Sequence, residues 1–294
     1  MKKIVYMTAL AATGALCACH KTEMQADDHR MRFHAEYPSA TRATASAFES
    51  GDVMSVYVTE YDGEVPAPLQ ISGNYANNVK VIFNGSAWTP EYPVYWTNSK
   101  FDVYACYPYI ANPHSVDECD FAVALDQSAP KSGSALGGYE ASDFMWAKST
   151  GITQMASVPL TFRHRLSRII VNLVKGSEYD GDIPDDAVVR ILNTVPEATI
   201  DFASGFVTKH PYGTEKIITA NKLETGVYAA IIVPQRFDTR RPFIEVVAKG
   251  VSYMVESSFV FKTATQHTVN LTLDNAPDKV KIEIGGEIEG GWNE

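Results

Sequence analysis

Cys106 and Cys119 stand thirteen positions apart in the middle of a 294-residue chain. Two thiols can bridge, bind a metal or act as nucleophiles, depending on their surroundings. The surrounding sequence supplies no second party for the last two roles. There is no CxxC, no HExxH and no GxSxG, and the seven histidines are scattered. His164 lies between Arg163 and Arg165 without a nucleophile elbow, and reads as a structural histidine. Glu178, Asp180, Asp182, Asp185 and Asp186 crowd the segment SEYDGDIPDDA, but their spacing is not that of an EF-hand loop, and the segment reads as a solvated acidic loop. Trp88, Tyr92, Tyr95, Trp96, Tyr104, Tyr107 and Tyr109 could stack on sugar rings or fill a core, and packing is the commoner use. With 25 Lys and Arg against 35 Asp and Glu, the net charge is −10, and no basic stripe is available for nucleic acid. These features point away from an enzyme and call for no cofactor or metal. A disulfide between Cys106 and Cys119 is left open by spacing alone.

The chemistry with a clear address is at the start. Lys2 and Lys3 precede an apolar run from Ile4 to about Leu16, followed by small residues, the three parts of an export signal. The run is shorter than the roughly 20 residues a spanning helix needs. It ends in Leu16-Cys17-Ala18-Cys19, which resembles a bacterial lipobox with Cys19 as the lipidated residue. Cys17 does not fit, because Leu16 would occupy the small-residue position. Several acyl chains on Cys19 would anchor the chain stably in a membrane, where one would not. Removing residues 1–18 takes away two lysines and no acid, moving the charge from −10 to −12. Residues 19–30 are polar and aperiodic and read as a tether.

The rest must position whatever this chain presents. Short runs rich in β-branched and aromatic residues follow one another: MRFHAEY, DVMSVYV, VKVIF, FDVYACY, SVPLTF, IIVNLV, AVVRIL, VYAAIIVP, PFIEVVA, SYMVESSFVF and HTVNLTL. Fifteen prolines and nineteen glycines punctuate them. This pattern predicts an all-β protein of sandwich type. One stretch, RLSRIIVNLV, also matches a helical template through Leu166, Ile169, Ile170, Leu173 and Val174; its β-branched Ile-Ile-Val favours a strand. The length predicts two domains, divided as 31–164 and 165–294.

The last segment, DKVKIEIGGEIEGGWNE, alternates without interruption. Val280, Ile282, Ile284, Gly286, Ile288, Gly290 and Trp292 share one parity. That is a strand with one buried face. Its burial against another subunit and its burial as an ordinary last strand of its own domain predict the same alternation.

Several motifs, in order, resemble one family. RMRFHAEYPSATRATASAFESGDVMSVYV reads as a first strand, a Thr-Arg motif, a phenylalanine and a Gly51-Asp52 opening the next strand. NGSAWTPEYPVYWTNSKFDVYACYPY, ASDFMWAKS, LTFRHRLSRIIVNL and YAAIIVPQ follow, and the chain closes on an Ile…Trp end. Together they resemble the fimbrillin family of Bacteroides-type lipoproteins, the subunits and accessory proteins of surface fimbriae (type V pili). The resemblance implies two transthyretin-like Greek-key β-sandwich domains in tandem, and export to the outer membrane with a lipid anchor on Cys19. It implies that a trypsin-like surface protease cuts after an arginine, with Arg42 as the candidate, and releases the first strand, which carries Met31, Phe33, Ala35 and Tyr37. A strand from another subunit would then enter the vacated groove, the donor candidate being Val280, Ile282, Ile284, Ile288 and Trp292. Partners so implied are other fimbrial subunits, the protease, the membrane and a host glycan or protein. The alternative is a non-polymerising surface lipoprotein that binds such a glycan or protein.

Overall fold

The structure, a computed structural model, describes residues 29–38 and 47–288. Every run singled out above forms a strand. Helix is confined to Gly138–Ser142 and a 3-10 turn at Pro277–Lys279 among the described residues. The doubtful stretch is the strand Ser167–Lys175. It is central, paired antiparallel with Val227–Ile232 on one side and parallel with Gln266–Leu273 on the other. Period-two burial follows: Ile169, Val171 and Leu173 are buried, whereas Val174, which a helical face would also have covered, is exposed.

The first half of the chain builds a nine-stranded sheet. Its order runs Arg163–His164, Met145–Ile152, Phe101–Tyr107, Val53–Asp62, Ala76–Phe83, Trp88–Pro90, Phe33–Glu36, Val158–Thr161, with Val65–Pro66 paired beside Val53–Asp62. The sheet wraps round a core that includes Met31, Phe33, Met54, Val56, Val58, Val81, Trp88, Phe101 and Phe162. The Ser149 hydroxyl donates to the Pro159 carbonyl, which brings the far strand back towards the start of the sheet.

The second half forms a five-stranded sheet, Asn221–Glu224, Val227–Ile232, Ser167–Lys175, Gln266–Leu273, Lys281–Ile288, and a four-stranded sheet, Lys216–Thr219, Val188–Thr194, Gln235–Ala248, Val251–Phe261. Alternate residues of both meet in a second core containing Ile169, Val171, Ile191, Ile231, Phe243, Phe259 and Leu271. The chain passes from the first sheet to the second between His164 and Ser167.

A smaller sheet ties the halves together. Cys119–Ala122 pairs with Glu197–Asp201, which pairs with Phe206–Lys209. It covers the outer side of the nine-stranded sheet, so Tyr57, Tyr104 and Cys106 belong to the second core. This explains why all seven residues of Phe101–Tyr107 are buried: that strand has no solvent face. The turn after Glu197–Asp201 docks on Trp146, whose indole N–H donates to the Phe202 carbonyl at 2.8 Å. Gly205 adopts φ +71°, and a Cβ there would lie 2.6 Å from the indole ring.

Candidate functional site

The two strands that the sequence singles out are the first and the last of the described chain. Met31 and Phe33 are almost wholly buried in the first core, and Ala35 and Tyr37 are half-buried against it. The four therefore point inward as alternation predicts. Phe33–Glu36 lies between Trp88–Pro90 and Val158–Thr161, parallel to the latter, with Phe33 opposite Val158, Ala35 opposite Leu160 and Glu36 opposite Thr161. Upstream, the Met31 N–H donates to Val94 O at 2.7 Å and the Trp96 N–H to His29 O at 2.6 Å. On the outer face the Thr161 hydroxyl donates to the Glu36 carboxylate at 3.0 Å. The segment is thus an interior member of its sheet.

Phe48 closes this region. Its ring meets Tyr37 at 5.0 Å, Trp88 at 4.9 Å, Tyr107 at 5.5 Å and Phe162 at 5.6 Å, edge to face. Phe33, Ala35, Tyr37, Phe48 and Trp88 line a cleft of ≈ 480 Å³. The sequence marked Phe48 as part of a motif without foretelling this contact. Beneath it, His164 is buried and bonded through Nδ1 to Asp143 at 2.7 Å, with the Tyr37 ring 6.1 Å away. Burial and the Asp143 charge push the Tyr37 phenol far above its ordinary range. Arg42, the cleavage candidate, and Cys19, the lipidation candidate, lie outside the described residues.

The last strand, Lys281–Ile288, pairs antiparallel with Gln266–Leu273 as the outermost member of its sheet. Among the described residues it thus sits within its own body, the ordinary last-strand arrangement. Val280 and Ile282 are half-buried against the second core; Ile284 is 50% exposed. Alternation does not persist along it. Ile284 stands opposite Val269 and Glu287 opposite His267, so the strand carries one extra residue at Gly285-Gly286, a β-bulge. The site of a Cβ on Gly285 is only 3.1 Å from Thr268 O, a close backbone approach that a side chain could share only if the neighbour gave way by a few tenths of an ångström. Ile288 is thereby moved to the face opposite Ile282 and Ile284, and Glu287 takes the inward place. Trp292 lies outside the described residues.

Glu287 is held there by two groups. Lys262 pairs with it, and His267 Nδ1 lies 3.3 Å from its Oε1. His267 Nε2 accepts the Lys262 backbone N–H at 3.2 Å. Its other nitrogen therefore carries the proton in the neutral ring and faces Glu287. Burial pulls the His267 pKa below its ordinary value, and the Lys262 ammonium does the same to Glu287.

The remaining candidates separate cleanly. Trp88, Trp96, Tyr104 and Tyr107 are core residues, while Tyr92 and Tyr95 are exposed. Tyr92 donates to Asn77 O at 3.3 Å, and Tyr75 donates to Tyr95 O at 2.7 Å. In the acidic loop, Asp185 takes Lys222 and Thr225, and Glu178 takes Lys279 at 2.7 Å. No group of three or more His, Cys, Asp or Glu side chains suited to a metal occurs among the described residues. Cys106 and Cys119 are buried free thiols, pushed up to about 12 and about 11 by burial. No helix among the described residues is long and apolar enough to cross a membrane.

A family model described as Fimbrillin-like matches residues 41–291. The chain belongs to that family. The match takes in most of both halves and the smaller sheet between them, and begins after the first strand, Phe33–Glu36. The fold is shared with solved structures of low sequence identity. A candidate cell adhesion protein from Bacteroides ovatus is 15% identical, with 88% of this chain and 97% of that one covered and a TM-score of 0.69. A candidate cell adhesion protein from Bacteroides uniformis is 18% identical, with 89% and 98% covered and a TM-score of 0.65. No curated protein sequence matches the chain. The fimbrillin-like protein is all-β, in keeping with both neighbours.

Proposed function

We propose that this fimbrillin-like protein is a structural or accessory subunit of cell-surface fimbriae and joins its neighbours by strand exchange. One observation carries the reading. The first strand fills an interior slot of its sheet through Met31 and Phe33, while the last strand holds an outer edge with Ile284 half in water. Loss of the first strand would bare a groove with unpaired main-chain groups on both sides, which a strand can complete by hydrogen bonds and side-chain insertion. The wrapped nine-stranded sheet and the paired five- and four-stranded sheets are the two tandem sandwich domains of this reading, 31–164 and 165–294. Anchoring falls to an acylated Cys19 in the outer membrane, and release of the first strand to a trypsin-like surface protease cutting after Arg42. The role is non-catalytic and needs no cofactor.

The test is the N-terminus of the cell-surface form, together with its behaviour on mild detergent gels. A form beginning at Ala43 that runs as a ladder supports a processed subunit. An acylated Cys19 on a form that joins others supports an anchor or accessory role. A chain that stays monomeric with and without trypsin defeats strand exchange. It would favour the second reading, a surface lipoprotein that binds host glycan or protein, for which the exposed Tyr92 and Tyr95 offer rings.

A further inference from the structure

The strand Val53–Asp62 loses one neighbour before it ends. Ala76–Phe83 pairs with it only as far as Val58, which stands opposite Ala76. The chain before Ala76 folds over the end of the strand instead, and the Ala67 N–H donates to Glu60 O at 3.4 Å. The space between is a cleft of ≈ 450 Å³ whose lining includes Thr59, Glu60, Gln70, Gly73, Asn74 and Tyr75. Its size falls in the range of small-molecule sites. None of these residues belongs to the first or the last strand.

The cleft is held in shape by its own loop. Asn74 Oδ1 accepts the Gln70 N–H at 3.0 Å, and Asn74 Nδ2 donates to Gln70 O at 2.6 Å and to Asn77 Oδ1 at 2.7 Å. Asn77 Oδ1 also accepts the Asn74 N–H at 3.0 Å. Tyr75 is fixed as well: its hydroxyl donates to Tyr95 O at 2.7 Å, and its ring centroid lies 4.9 Å from that of Phe101. Asn74 and the Tyr75 hydroxyl are thus engaged by the protein, and Thr59, Glu60 and Gln70 are left to meet a ligand. Thr59 is 1% exposed, and its hydroxyl has no hydrogen-bond partner among the described residues. A buried hydroxyl in that state costs free energy that a ligand's hydroxyl would restore. Glu60 accepts the Thr97 hydroxyl at 3.3 Å through one carboxylate oxygen and has a second to offer.

We infer that this cleft binds a neutral saccharide. A sugar hydroxyl both donates and accepts, and the lining has the matching mixture: Glu60 accepts, while Thr59 and Gln70 do both. Tyr75 supplies an aromatic wall against which the C–H face of a sugar ring packs. An acidic ligand is unsuited, because the charged group in the lining is the Glu60 carboxylate, with no cation beside it there. A lone ammonium would satisfy Glu60 and leave the Gln70 N–H donors unmatched. The inference rests on neither reading above, since a fimbrial subunit and a monomeric lipoprotein would present the same cleft.

Saturation-transfer NMR on the full chain reads the binding. The probes are the methyl glycosides of glucose, galactose, mannose, fucose and N-acetylglucosamine, with N-acetylneuraminic acid as the acidic comparison. At least one neutral glycoside should bind in the millimolar range. Glu60→Gln and Gln70→Ala should each weaken it about tenfold. Thermal unfolding should be unchanged in both variants, because neither side chain belongs to a core. Tyr92→Ala, outside the cleft, should leave binding as it was. Failure of every neutral glycoside to bind overturns the inference, as does tighter binding of the acid, or binding undiminished in both cleft variants. Ladder formation after trypsin does not involve the cleft, so failure here and failure of strand exchange are told apart.

Discussion

Asp102 shows how much one side chain can organise. It is buried on a strand with no solvent face, and it accepts Tyr61 at 2.9 Å and the Gly151 N–H at 2.8 Å, with Lys148 Nζ at 3.5 Å. A buried carboxylate is tolerated only with such partners. Asp102→Ala would strand a backbone N–H and a lysine together, and we expect a loss of about 2–4 kcal/mol in urea unfolding; a loss within experimental error would show the cluster to be dispensable. Gly205 is the other sensitive position. Gly205→Ala should cost about 1–3 kcal/mol, because it combines a left-handed backbone with a collision against Trp146, and an unchanged denaturation midpoint would contradict the close approach. Cys106 and Cys119, buried and with raised pKa values, should ignore a water-soluble thiol reagent in the native protein and react in the unfolded one. Rapid native labelling would refute their burial.

At the scale of elements, the terminal strand carries a pH dependence. His267 has a folded pKa below its unfolded value, so the unfolded state binds the extra proton first, and stability falls as pH drops through the unfolded value of about 6.5. Protonation also removes the lone pair that accepts the Lys262 N–H. The charged groups facing it are Glu287 and Lys262. Glu287 is depressed too, so its contribution is present above the unfolded carboxylate value of about 4.3 and fades as pH falls through its lower folded value. Hydrogen exchange, corrected for intrinsic rates, should show protection of Lys281–Ile288 lower at pH ~5.5 than at ~7.5, with the difference reduced in His267→Gln. Equal protection at both values would remove His267 as the cause. Elements also show where the sequence was readable. Runs such as VYAAIIVP and HTVNLTL are long and β-branched enough to specify strands locally. Cys119–Ala122 is short, and its pairing with Glu197–Asp201 comes from a distant partner.

For the whole molecule, the strand-exchange reading makes the segment between the first and second strands the point of attack. Limited trypsin should trim the native protein first near Arg42, because a chain among small polar residues there can enter a protease extended. Edman or mass analysis giving Ala43 is the expected result, and an intact N-terminus while other loops are nicked would count against it.

The sequence alone determined the β class, the order of most strands, the inward parity of Met31, Phe33, Ala35 and Tyr37, and the alternation of the tail. These follow from side-chain period and local propensity, which need no partner to be read. Only the tertiary structure decided which edge each strand meets. It set the first strand parallel to Val158–Thr161 and joined Cys119–Ala122 to residues nearly eighty positions later. It also inserted a bulge that breaks an otherwise perfect alternation. Pairing is settled by long-range hydrogen bonds and shared cores, and a period of two is the same whichever neighbour supplies them.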